Sequence, residues 1–345
     1  MRMPTFPLLR AIGEPYEVGW LHGRSMAQVI RVEIESRLGV RERDRSLRQA
    51  SEVEPFLSKW APHLLDEVKG IADGAGIDLR AALWLQWGMA VPGCNQDECT
   101  AFAVGPEYTG DGSVYAGQNK DTGIGANERS IVLCVHPSGF PSILSFSYAG
   151  HLAGIGLSSM GVSLWGMSLY LEGNRGGGNS MLKRMLLECG TVHAMRELAA
   201  AIGGESVGAY AVSDANGNVG VMELLPERQV WIDGGRDSVG HANVIASPSC
   251  ADRELDQHKC FCPSAQARHD RVNEALAEFR TGFSVDVGFE ILADKKNHPM
   301  SICRETCAVD GIQTNAGVIA EPLDGRLHVT YGPPSTSLPR TTTLY

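Results

Sequence analysis

DECTAF, residues 97–102, marks the point where the texture of this chain changes. Upstream, apolar residues recur at helical spacing. Met26, Ile30, Ile34 and Leu38 fall at fours, which predicts a helix over 15–39, and residues 55–90 predict two more with a break at Gly74 and Gly76. Downstream come short β-rich runs punctuated by Gly, Pro and Asp-Gly: CTAFAVG (99–105), SVYAGQN (113–119), SIVLCVH (130–136), SILSFSYAG (142–150), LAGIGLSS (152–159) and GVSLWGMSLYL (161–171). Cys99 stands at the junction, after Asp97 and Glu98 and before Thr100. A thiol that only filled core space would sit inside an apolar pattern instead.

The rest of the chain continues the mixture. A helix is predicted near 181–202, strands near 207–214 and 219–224 joined by a turn at Asn216-Gly217, and strands at QVWID (229–233) and HANVIAS (241–247). Helices at 264–280 and 284–294 and a strand pair around Asp324-Gly325 complete the map. Helices, a block of strands, then helices and strands again predict an α+β fold with antiparallel sheets. With 345 residues, 43% hydrophobic and 20% charged, the composition is that of a globular protein with ample core. The 40 glycines favour tight turns and close packing over a helical bundle.

A formal net charge of -10 argues against nucleic acid as a partner, and the basic run RERDRSLR (41–48) is interrupted by acids and reads as a solvated surface. No apolar run approaches the length of a membrane span or a signal peptide, so a cytoplasmic protein with no membrane partner is expected. The nine cysteines are then expected to be mostly free thiols.

As plain chemistry, a free thiol has a pKa of about 8.5 and needs activation. No histidine lies within twenty residues of Cys99 on either side. Cutting the peptide bond before Cys99 would solve the problem, because the new α-amine, with a pKa of about 7.7–8.0, is a base held in reach by covalent geometry.

DECTAF, GQNKD (117–121), GHANVIASP (240–248) and MSICRE (300–305), with GEPYEVGWLHG (13–23) and LLDEVKGIADGAG (64–76), resemble in order the strings of the acyl-coenzyme A:6-aminopenicillanic acid acyltransferase family. These are N-terminal nucleophile (Ntn) hydrolases of the cysteine peptidase C45 type. The resemblance spans nearly the whole chain. It implies a four-layer αββα sandwich and a precursor that cuts itself between Glu98 and Cys99. Residues 1–98 would become an α chain that stays bound to a β chain of 99–345. Cys99 would then be nucleophile and, through its α-amine, base. Asp121 would orient that amine, Asn119 would shape the site, Asn243 would donate to the oxyanion, Arg304 would be a charge partner, and Ser301 would assist processing. The implied substrate is a small acyl amide whose acyl group passes through a Cys99 thioester to water or an amine. Acyl-coenzyme A is an alternative donor, no metal or organic cofactor is required, and a homo-oligomer is compatible. Gln118 replaces an arginine of the related bile salt hydrolases, which favours the acyltransferase branch. A longer hairpin at GPEYTGDGS (105–113) accounts for the long interval from Cys99 to Asp121. Glu98 precedes the nucleophile in place of glycine.

Blander readings stand beside these. Cys99 could be a buried core thiol and Cys94 a rival nucleophile; Asp121 and Asn119 could close a turn, Asn243 cap a strand edge, and Arg304 form a structural ion pair. His258, Cys260, Cys262, Cys303 and Cys307 offer soft ligands for a zinc-binding module, although C-x-C and C-x3-C are not the usual knuckle spacings. GNRGGGNS (173–180) lacks the lysine of a phosphate loop, and GIG (154–156) reads as strand packing.

Overall fold

A computed structural model describes residues 4–38, 50, 52–87, 98–169, 179–203, 207–226, 228–247, 264–280, 282–305 and 311–345. Strand β1 (Leu8–Gly13) leads into helices α1 (Pro15–Ser25), α2 (Ala27–Arg37), α3 (Val53–Trp60), α4 (Pro62–Ala75) and α5 (Leu79–Trp87). The single helix expected over 15–39 is therefore two, because Met26 leaves helical geometry at φ -111° and ψ 16°. The pair expected over 55–90 is three. Ala61 is extended at φ -156°, Pro62 opens α4, and Gly76 closes it in the left-handed conformation at φ 65°.

Gly74 lies inside α4, and its role is contact. A Cβ on Gly70 would come within 2.1 Å of the Tyr16 carbonyl oxygen, and one on Gly74 within 2.2 Å of that of Trp20. From the other helix, a Cβ on Gly19 would fall 1.9 Å from the Glu67 carbonyl oxygen and one on Gly23 2.2 Å from that of Ile71. Helices α1 and α4 thus pack backbone to backbone through paired glycines spaced by four, which side chains would forbid.

Past the junction lie β2 (Glu98–Val104), the one-turn helix α6 (Pro106–Thr109), β3 (Tyr115–Gly123), β4 (Ser130–Pro137), β5 (Ile143–Tyr148), β6 (Ile155–Ser158) and β7 (Ser163–Met167). They are followed by α7 (Ser180–Leu187), α8 (Val192–Ile202), β8 (Gly208–Ser213), β9 (Val219–Leu225), β10 (Arg228–Gly235) and β11 (Ser238–His241). Helices α9 (Ala265–Glu278) and α10 (Val285–Leu292) and strands β12 (Ile312–Glu321), β13 (Arg326–Thr330) and β14 (Pro339–Thr343) finish the fold. The helix expected over 181–202 is split, with Asn179 capping α7 through Leu182 N and Thr191 capping α8 through Ala194 N.

Among the described residues the strands form two sheets, ordered β1-β4-β5-β6-β7-β8-β9-β10 and β11-β2-β3-β12-β13-β14. The second is antiparallel throughout; the first is antiparallel except for β1, which runs parallel to β4. Three apolar layers hold the stack. One lies between α1–α5, α7 and α8 and the first sheet, one between the two sheets, and one between the second sheet and α9 and α10. The architecture is the αββα sandwich, with every buried sheet face covered.

HANVIAS does not form the expected strand. Pairing of β11 with β2 stops at His241 opposite Ala101. The buried Glu223 carboxylate then takes the backbone N–H of Ala246 (2.7 Å) and Ser247 (3.3 Å), so this backbone satisfies its donors on a side chain and leaves the ladder.

Candidate active site

β2 divides the site between its two faces. Cys99, Ala101 and Ala103 point into the layer between the sheets, while Phe102 and Val104 point toward α9 and α10. Strand alternation puts Glu98 and Thr100 on that helix-covered side, and their partners agree. The fully buried Arg268 of α9 donates to Glu98 Oε2 (3.0 Å) and Thr100 Oγ1 (3.0 Å).

Glu98 is 1% exposed and heavily committed. Its Oε2 also accepts from Ser264 Oγ at 2.6 Å and from Arg304 Nη1 at 2.5 Å. Arg268 in turn takes the Cys99 carbonyl oxygen through Nη1 at 2.5 Å, and its Nε donates to Ser264 Oγ at 3.0 Å. Asp121 is cross-strand from Glu98, fully buried, and accepts from Thr314 Oγ1 at 2.6 Å. Two carboxylates thus face two guanidinium groups in a buried cluster of balanced charge. Burial pushes the Asp121 carboxyl up to about 6, against the opposing pull of Arg268, the Thr314 hydroxyl and Arg304; Glu98 adds to the rise.

Asn243 bonds directly to the Cys99 backbone. Continuing the β11–β2 register past His241 would set Asn243 opposite Cys99. Since the ladder has ended, the side chain stands in for backbone: Asn243 Oδ1 accepts the Cys99 N–H at 2.7 Å and Arg268 Nη2 at 3.2 Å, and its Nδ2 donates to the Ser168 carbonyl at 2.9 Å. In the continuous chain it is the oxygen of this amide that meets the nucleophile's nitrogen.

Asn119 and Ser301 lie one step out. Asn119 Nδ2 donates to the Leu292 (2.7 Å) and Ile302 (2.9 Å) carbonyls, and Ser301 Oγ donates to the Cys303 carbonyl (2.6 Å). Both brace the segment that delivers Arg304, whose own N–H is held by Thr314 Oγ1 at 2.8 Å. Gln118 Nε2 bonds the Gly166 carbonyl at 3.0 Å and so ties the two sheets together. Cys303 is buried, its Sγ donating to Ser335 Oγ at 3.4 Å. Cys94, the 41–48 run, His258, Cys260, Cys262, Cys307 and most of the glycine loop lie outside the described residues.

Sequence reading missed Arg268, Ser264, Thr314 and Lys120. The signal for Arg268 was present: it interrupts the apolar stripe Ala265, Val272, Ala275, Leu276 of α9, where an arginine needs buried partners. Lys120 pairs with Cys99 across β2 and β3 on the inter-sheet face, with Nζ 3.8 Å from Sγ.

The sequence profile of the acyl-coenzyme A:6-aminopenicillanic acid acyl-transferase family matches residues 108–335. A 40 kDa acyl-coenzyme A:6-aminopenicillanic-acid-acyltransferase form from Emericella nidulans is 27% identical over 315 residues, covering 85% of this chain and 83% of its own. Among solved structures, penicillin V acylase from Agrobacterium tumefaciens is similar at a TM-score of 0.46 and 11% identity, over 70% of this chain and 84% of that one. A mutant of conjugated bile acid hydrolase from Clostridium perfringens is similar at a TM-score of 0.43 and 11% identity, over 71% and 96%. No helix among the described residues is long and apolar enough to cross a membrane. On the profile match, which spans most of the chain, this protein belongs to the acyl-coenzyme A:6-aminopenicillanic acid acyl-transferase family.

Proposed function

We propose that the chain is a self-processing Ntn amidohydrolase or acyltransferase with Cys99 as nucleophile. The observation that carries this reading is the hold on the Glu98–Cys99 peptide: Asn243 on the Cys99 N–H, Arg268 on the Cys99 carbonyl, and three donors on the Glu98 carboxylate. Fixing a peptide next to its own attacking thiol lowers the entropic part of the barrier. Sγ adds to the Glu98 carbonyl carbon, the C–N bond breaks as sulfur–carbon forms, and the nitrogen takes up the thiol proton. Water then cleaves the thioester, returning the thiol and leaving a carboxylate on Glu98.

In the mature enzyme the α-amine of Cys99 removes the thiol proton. Sγ attacks the acyl carbon of a small amide, the amine departs with the proton, and water or a second amine resolves the thioester. Asn243 Oδ1 continues to hold the α-amine, and Asp121 supplies negative charge from the neighbouring strand as the ammonium forms. Arg304 balances that charge, while Asn119 and Ser301 keep its segment in place. Residues 1–98 and 99–345 stay associated, because α1–α5 share an apolar layer with β4, β5 and α7. The family relative's name favours acyl-coenzyme A as an alternative donor. We place the enzyme in the cytoplasm, in keeping with unbridged cysteines at Cys134, Cys189 and Cys303.

Denaturing electrophoresis with N-terminal sequencing tests the reading. The parent is expected as two bands, the larger beginning Cys-Thr-Ala-Phe, and Cys99→Ala as one. An active parent that remains a single chain overturns it.

A further inference from the structure

Glutamate is a demanding residue to place before a self-cleaving cysteine, because its carboxylate must be either solvated or matched. Here it is matched. Glu98 is 1% exposed and its Oε2 receives Ser264 Oγ at 2.6 Å, Arg268 Nη2 at 3.0 Å and Arg304 Nη1 at 2.5 Å. Arg268 is 0% and Arg304 2% exposed. The three donors come from α9, from the residue just before it, and from the segment ahead of β12, so distant parts of the chain converge on one oxygen. A pair of buried guanidinium groups and a hydroxyl aimed at one point is the usual form of a carboxylate receptor.

We infer that Ser264, Arg268 and Arg304 form a built carboxylate-binding site whose occupant is the chain's own Glu98, and that this site positions the scissile peptide for attack by Cys99. The inference rests on the self-cleavage reading and adds a residue role to it. Glu98 acts as a positioning residue: its side chain, on the helix-covered face, fixes the carbonyl that Sγ must reach from the inter-sheet face. Arg268 ties the two together, since it holds Glu98 and the Cys99 carbonyl at once. The bonding sequence of the cleavage is unchanged; what the site supplies is orientation, where a misplacement of about 1 Å costs about a hundredfold in rate.

Alanine at position 98 keeps Cβ and lacks only CH2–COO⁻, which acetate replaces. Scission in freshly synthesised full-length chain, followed by the mass of the fragment starting at Cys99, is expected to slow about ten- to hundredfold in Glu98→Ala. Added acetate is expected to restore much of the rate, and chloride at equal ionic strength is not. Glu98→Gln keeps an acceptor but no charge and should fall between. Cutting of Glu98→Ala at the parent's rate, or slowing that acetate leaves untouched, overturns the site as a positioning device. A parent that never cuts overturns the self-cleavage reading instead. The site is then read separately in the Cys99→Ala, Glu98→Ala double variant, which cannot cut: acetate should raise its unfolding midpoint, and no rise overturns the carboxylate site itself.

Discussion

Arg268→Met gives the sharpest test of the buried cluster. Methionine keeps the apolar stem inside α9 and deletes donors to Glu98 Oε2, the Cys99 carbonyl, Thr100 Oγ1, Asn243 Oδ1 and Ser264 Oγ. Of the two guanidinium groups that faced Glu98 and Asp121, Arg304 is then the one left. Removing one partner of a buried pair costs about 3–5 kcal/mol, chiefly because a charge is left uncompensated. The measurement belongs in a Cys99→Ala background, where every variant is one chain and urea unfolding by circular dichroism compares like with like. Adding Glu98→Gln to Arg268→Met restores the charge balance, so the double variant should be more stable than additivity allows by about 2 kcal/mol. The loss should also depend on pH. Asp121 already titrates near 6, and without Arg268 its pKa climbs further above its unfolded value. A raised carboxyl contributes stability that is complete below the unfolded pKa and lost as pH rises through the folded one. Arg268→Met should therefore cost less at about pH 5 than at about pH 8. A cost under about 1 kcal/mol, equal at both pH values and additive with Glu98→Gln, would refute the account of the cluster.

Asp121→Asn removes the same titration from the other side. With a folded pKa of about 6 against 3.8, the parent loses about 3 kcal/mol between roughly pH 4 and pH 7 that the variant keeps. The stability gap should therefore move in the variant's favour with rising pH, and a pH-independent gap in urea titrations would contradict this. Gly70→Ala should lower the unfolding free energy read from urea titration by more than the roughly 1–3 kcal/mol of ordinary overpacking, since its Cβ meets Tyr16 backbone oxygen at 2.1 Å and Trp20 backbone nitrogen at 2.7 Å, neither of which can rotate away. A cost under about 0.5 kcal/mol would mean that α1 and α4 slide apart freely. Lys120→Met should move the pH dependence of Cys99 alkylation by iodoacetamide to higher pH, because the ammonium 3.8 Å from Sγ favours the thiolate, and Lys120→Arg should preserve it. An unchanged profile in Lys120→Met would remove the ammonium from the chemistry of the thiol.

Much of this was legible from residue pattern because local rules and tertiary needs agree. The strand runs after Cys99 alternate or stay apolar as sheet layers require, and nearly every one became a strand. The disagreements have particular causes. Helix breaks at Met26 and Ala61 leave the apolar period intact on both sides, so periodicity alone runs through them. β1 was invisible because its partner β4 is more than a hundred residues away and its exposed edge alternates buried and exposed over only six residues. The string LLDEVKGIADGAG carries the glycines that let α4 touch α1, which is a packing requirement with no mark of chemistry. Arg268 escaped because its partners Glu98, Thr100 and Asn243 come from elements far away in sequence, and only their convergence gives a buried guanidinium its meaning.

The same convergence explains why the nucleophile can sit at the edge of a strand pairing without losing its backbone partner. Glu223 of β9 accepts His241 Nε2 at 3.0 Å as well as the Ala246 and Ser247 amides, and so pulls the chain after β11 out of the sheet. That departure removes the backbone acceptor that Cys99 N–H would otherwise have had, and the Asn243 side chain takes its place. A ladder bond fixes a strand in a sheet, whereas a side-chain amide accepts a peptide N–H and a free amine equally well. The position before the nucleophile shows the complementary logic: Glu98 is fixed by side-chain donors from the helix layer while the thiol faces the other sheet. Strand alternation thus separates the groups that hold the peptide from the group that attacks it, and each can be altered without entering the other's layer.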